Sequence, residues 1–215
     1  MVRIGAGLVI FFLILMTAPL MFKGKILTAA KQAASESVLA KINFDDDLDL
    51  SLIRNFPNLS VGINNLKIVG IDSFQTDTLF QSKELRLVVD ISTLFGDNES
   101  IGLRKIYVNE PRIKVHVLPS GRANYDIVPA DSTEIETTEE ETTESSLALD
   151  LNHIEISNAH IAYHDASMGV DFVSKSSDFN AEGSYKGDLF NLISTFTAKE
   201  MNVSYEGLTA ISKAS

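Results

Sequence analysis

The chain changes its hydrophobic rhythm twice. From Ile4 to Phe22 it runs through 19 residues without a charge. At ~1.5 Å per residue a helix of that length spans roughly 28 Å, close to a bilayer's hydrocarbon core. Arg3 stands before this run, and Lys23 and Lys25 stand after it. Residues 1–23 therefore read as a transmembrane anchor. A cleaved signal peptide competes with that reading, although Ala18-Pro19 followed by Met21-Phe22-Lys23 makes a poor cleavage site. A buried core helix is the third reading. Over 24–42, Ile26, Leu27, Ala30, Ala33, Ala34, Val38 and Ile42 recur at helical spacing, which predicts a connecting amphipathic helix. It either packs on the first strands or lies on the lipid surface, with Lys23, Lys25 and Lys31 near headgroups.

After residue 43 the period becomes two. Leu48, Leu50 and Leu52 alternate with Asp47, Asp49 and Ser51. Leu79, Leu85, Leu87, Val89 and Ile91 share one parity, interrupted by Gln81 and Lys83. Ile113, Val115 and Val117 alternate with Lys114 and His116. These are strands with one apolar face.

Within them a change of parity recurs. Val61-x-Ile63-x-x-Leu66-x-Ile68 is followed by Ile101-x-Leu103-x-x-Ile106-x-Val108, then by Leu149-x-Leu151-x-x-Ile154-x-Ile156. Phe196-x-Ala198-x-x-Met201-x-Val203 is a looser fourth instance. Their starts are 40, 48 and 47 residues apart. Two consecutive polar residues would throw the second half of each motif onto the wrong face. A β-bulge at Asn64-Asn65, Arg104-Lys105 and Asn152-His153 would restore one continuous apolar side. Ile161 and Tyr163 stand after the third motif as Ile113 and Val115 stand after the second. The turn-like Asn109-Glu110-Pro111 and Ser157-Asn158-Ala159 lie between. The body is thus expected to repeat a strand–turn–strand unit.

The predicted architecture is mainly β. An anchor and a short connecting helix lead into a long, curled, mostly antiparallel sheet of repeated units with one apolar face. Residues 43–129 form a first β-repeat region and 130–146 an acidic disordered insert. Residues 147–215 form a second β-repeat region that breaks off inside the fourth unit, as expected for a cut through a longer repeating sheet. Beyond residue 43 no long amphipathic helix is available to cover the apolar face. The cover must be a second sheet, the same sheet curled, a partner, or lipid.

Composition narrows the chemistry. The net charge of −11 is unevenly spread: residues 1–41 carry five bases and one acid, while 131–144 carry seven acids and no base. Without a basic stripe, nucleic acid is not an expected partner. With no Cys, disulfides, thiolate metal sites and thiol catalysis are excluded. No metalloprotease, serine-hydrolase, phosphate-loop or dinucleotide motif occurs, so no catalytic residue, metal or cofactor is expected. The four histidines, His116, His153, His160 and His164, read as solvent-facing strand residues. His160 and His164 lie ~13 Å apart along one strand, too far to share an ion. Asp45, Asp46, Asp47 and Asp49 read as a polar outer face.

The order of several short motifs resembles the AsmA family. After the anchor and connecting helix come Asn55-Phe56-Pro57-Asn58-Leu59-Ser60-Val61, then Asp77-Thr78-Leu79 leading into Glu84-Leu85-Arg86-Leu87. Ser92-Thr93-Leu94-Phe95-Gly96 follows. Last comes Gly121-Arg122-Ala123-Asn124-Tyr125-Asp126-Ile127, after Pro111-Arg112-Ile113. The resemblance implies a single-pass inner-membrane protein of a Gram-negative envelope, with its body in the periplasm and a part in outer-membrane assembly. That orientation runs against the charge count, which slightly favours a cytoplasmic Lys23/Lys25/Lys31 side. Members resemble bridge-like lipid carriers whose curled sheet encloses an apolar groove. The implied partners are membrane lipid, including acyl chains in the groove, and other envelope proteins. From alternation, the groove would be lined by Ile63, Leu66, Ile68, Leu85, Leu87, Val89, Leu103, Ile106, Val108, Ile113, Val115, Leu151, Ile154, Ile156, Ile161 and Tyr163. The alternative is a closed β-sandwich, a structural or interaction module tethered to the membrane.

Overall fold

A computed structural model describes residues 23–24, 26–28, 31–32, 39–94, 102–127, 149–186 and 189–213. The expected anchor at Ile4 to Phe22 and the acidic insert at 130–146 lie outside the described residues. Among the described residues no helix is long and apolar enough to cross a membrane. Residues 23–24, 26–28 and 31–32 are helical.

All ten described strands belong to one sheet. They are β1 (Lys41–Asn43), β2 (Asp49–Ser51), β3 (Leu59–Val69), β4 (Thr78–Val89), β5 (Leu103–Asn109), β6 (Arg112–Val117), β7 (Leu149–Asp165), β8 (Val170–Lys186), β9 (Leu189–Tyr205) and β10 (Leu208–Lys213). Their order is β1-β3-β4-β5-β7-β8-β9-β10, with β2 also on β3 and β6 lying between β4 and β7. The sandwich alternative needs a second sheet, and among the described residues there is none.

Two pairs of short strands are single lines interrupted once. β1 pairs with the end of β3 (Lys41↔Val69) and β2 with its beginning (Leu50↔Val61). β5 and β6 likewise follow one another along β4 and β7. Asn109-Glu110-Pro111 is therefore a break in a line rather than the turn its residues suggest. The equivalent Ser157-Asn158-Ala159 lies inside the unbroken β7. Glu110 and Asn158 both adopt left-handed backbone, at φ 50° and 55°. Pro111 supplies no N–H, which separates β5 from β6, whereas Ala159 lets β7 continue.

The sheet is mixed, not only antiparallel. β5 and β6 both pair with β7 in parallel, while the other neighbours are antiparallel. In the parallel pair the second and third motifs lie side by side. Ile106 faces Ile154, Val108 faces Ile156, Ile113 faces Ile161, and Val115 faces Tyr163. The 48-residue spacing of the motifs is the register of the two strands.

Of the three expected irregularities, those at Arg104-Lys105 and Asn152-His153 are present as a shift in pairing, whereas at Asn64-Asn65 the register against β4 does not shift, Asn64 facing Glu84 and Leu66 facing Ser82. Pairing shifts between Leu103 and Lys105 against β7, and between Val88 and Val89 against β5. Asn65 has φ 53° and Ser176 φ 49°. With Glu110 and Asn158 they form a transverse line of left-handed residues, joined where Glu110 N–H donates to Ser157 O at 2.9 Å. Asn158 N–H donates to the Asp178 carboxylate at 2.8 Å. Each strand changes parity at this line, the arrangement that keeps both halves of its apolar pattern on one side.

The connections are tight. Gly121 takes φ 85°, and Val117 bridges Ala123. Buried Asn124 then accepts from His116 N–H at 3.0 Å and donates to Lys114 O at 2.7 Å. It fills the part of β6 that extends past β4. A Cβ at Gly70 would meet Phe74 Cβ at 2.5 Å and its carbonyl oxygen at 2.8 Å, so only glycine fits beside the 3-10 turn Asp72–Phe74.

Candidate functional site: an apolar sheet face

The cross-strand register sorts the side chains into rows, because directly opposed residues share a face. One row runs Val61–Leu87–Ile106–Ile154–Ala181, and the next Ile63–Leu85–Val108–Ile156–Phe179–Phe196. Val89 faces Leu103 above them. Past the left-handed line the rows are Ile68–Phe80–Ile113–Ile161–Ser174–Met201 and Val115–Tyr163–Phe172–Val203. The sequence-derived lining residues thus come together in shared rows, with three qualifications. Leu66 is buried opposite Ser82 and leaves its row short. Leu151 packs against the covered corner described below. Tyr163 has its hydroxyl committed to Asp165 at 2.8 Å.

Several members were not anticipated. Phe80, not Leu79, is the β4 residue opposite Ile68 and Ile113. Phe172 and Phe179 come from β8, whose alternation is diluted by Ser174, Lys175, Ser176 and Ser177. The aromatic pair astride that polar run was the available signal.

Cover over the face is one-sided. Leu52, Leu59, Val61, Val89 and Leu103 form the buried cluster, and Ile26, Leu50, Ile91 and Leu151 pack against it. Ile26 belongs to the N-terminal helical stretch, and Lys23 and Lys31 of that stretch pair with Asp47 and Asp46. The connecting segment therefore contacts the first strands, and the Asp45–Asp49 run receives its lysines. Asp45 also accepts from Asn65 Nδ2 at 2.7 Å, and Asp49 pairs with Arg54 at 3.1 Å. Val61 and Leu103 are each 8% exposed, whereas Phe196 is 50% and Val203 41% exposed. Leu192, Tyr205 and Leu208 are exposed as well. The apolar face is capped at the corner near β2 and β3 and open toward β9.

The opposite side is polar. Arg86 and Glu84 form an ion pair there, and the Tyr107 and His153 rings lie 5.2 Å apart. Burial raises the Tyr107 phenol above its ordinary value, with Glu155 adding to the effect. At the corner near the cap, Arg104 and Ser92 hold the Asp90 carboxyl down at about 2. Asp165 at the β7–β8 turn is lowered to about 2, first by the Ser167 hydroxyl and also by Tyr163. Two shallow cavities open on the polar side. One of about 330 Å³ is lined by Lys105, His153 and Glu182 among others, and one of about 220 Å³ by Glu84, Arg86, Tyr107 and Glu155 among others.

A sequence model of the AsmA family matches residues 2–199, nearly the whole chain. The chain belongs to the AsmA family. No curated protein matches it at a significant level. Membership associates this AsmA protein with the cell envelope and outer-membrane assembly, and its mainly β, one-sided sheet agrees with the fold that the motif order implies.

Proposed function

We propose that this AsmA protein is a non-enzymatic, membrane-anchored envelope protein that receives phospholipid acyl chains on the apolar face of its sheet. Its body stands in the periplasm of a Gram-negative bacterium, on the anchor expected at residues 1–23, and other envelope proteins are its further partners. The observation that carries the reading is the one-sided cover: Val61 is 8% exposed at the capped corner, against 50% for Phe196 on the same side. Aromatic and branched side chains set in rows match the apolar chemistry of an acyl chain, and exposed apolar surface of this kind marks an interaction site.

The test is site-specific photocrosslinking. A benzophenone amino acid in place of Phe196 or Phe172 should yield phospholipid-mass adducts in cells, and native mass spectrometry should find phospholipid on the purified protein. Adduct-free protein at both positions, together with a lipid-free mass, overturns the proposal. Leu87 and Leu103 are poor probe positions, since both belong to or pack on the buried cluster and polar replacements there would report folding.

A further inference from the structure

The polar side carries a row that no lipid reading uses. His116 on β6 and His164 on β7 face each other in the parallel register. Their rings lie 5.4 Å apart, centroid to centroid, tilted by 51°. A carboxylate flanks each ring on its outer side. Asp77, just before β4, receives His116 Nδ1 at 2.7 Å, and Asp171 on β8, opposite His164, receives the Nδ1 of that ring. Across the sheet the order is Asp77, His116, His164, Asp171.

We infer that His116 and His164 form a two-histidine site for a divalent transition-metal ion of the class that prefers imidazole, such as zinc, nickel or copper. A carboxylate on Nδ1 fixes the ring's tautomer and orientation and leaves Nε2 as the metal-facing nitrogen, the arrangement found behind metal-binding histidines. With both Nδ1 atoms engaged by their carboxylates, Nε2 is the nitrogen each ring has left to offer an ion. An ion ~2.0–2.1 Å from each nitrogen at a tetrahedral angle places the ring centroids roughly 5 Å apart. The observed separation matches. Among the described residues no group of three or more His, Asp and Glu is arranged around one ion. The site therefore uses two protein ligands, with water completing the shell. His160, four residues along β7, stands opposite Arg112 and takes no part.

The experiment titrates the full chain in detergent with Cu2+ and with Zn2+, and records the copper electron paramagnetic resonance spectrum. One saturable equivalent is expected, with superhyperfine structure from two imidazole nitrogens. H116Q or H164Q should weaken binding by at least about 10-fold, and D171N by about 10–100-fold, through loss of the orienting carboxylate. The spectrum of the unaltered protein counts nitrogens independently of how any variant folds. No saturable binding, fewer than two imidazole nitrogens, or unchanged affinity in the H116Q/H164Q double variant overturns the site. Unchanged affinity in D171N overturns the carboxylate's role.

Discussion

Asp90 shows how single side chains stabilise the irregular places. It follows β4, caps the 3-10 turn Ile91–Leu94 through Ser92, and pairs with Arg104 at the register shift of β5. Its carboxyl is held at about 2, below the ordinary value of 3.8. A folded-state value below the unfolded one adds stability above the unfolded pKa, and that stability is lost as pH falls through the folded value. Urea unfolding should therefore find R104Q less stable by about 1 kcal/mol near pH 6. The difference should begin to shrink as pH drops below about 4 and fade as it passes through about 2, where Asp90 takes up its proton in the folded protein. A difference independent of pH would show that Arg104 acts by packing alone. Arg104 was legible in the sequence only as half of a polar pair. Its partner is 14 positions away, and proximity across a bulge leaves no mark in alternation.

At the scale of strands, the left-handed line sets the shape. Asn65, Glu110, Asn158 and Ser176 occupy a backbone region that disfavours branched side chains. N158V should lose about 1–2 kcal/mol in thermal or chemical unfolding, while N158G should stay within a few tenths, because glycine enters this region freely. Equal effects of the two would mean that the Asn158 side chain, not its backbone, holds the line. The parity changes at Arg104-Lys105 and Asn152-His153 were legible because a buried face tolerates no slip. Two things were not. Asn109-Glu110-Pro111 uses residues that serve a turn and a strand break equally well. The parallel direction of β7 was hidden because apolar alternation reads the same in either direction. The β8 lining residues Phe172 and Phe179 were missed for a third reason: Ser174 and Ser177 are buried and bonded to each other at 2.6 Å, so a polar stretch occupies interior positions.

At the scale of the molecule, one sheet has a sheltered corner and an open end. The two should respond differently to truncation. L52A should cost about 2–5 kcal/mol, the range for deleting a buried leucine, while F196A should cost less than about 1 kcal/mol. Equal losses in denaturant melts would mean that the β9 end is covered in solution. The twin strands β5–β6 and β7 have a further consequence. They differ at most polar positions but carry apolar residues at matched ones, Ile106 with Ile154, Val108 with Ile156 and Ile113 with Ile161. Because the two strands lie side by side at the spacing of their motifs, the 48-residue interval is also the step by which this sheet grows one strand wider.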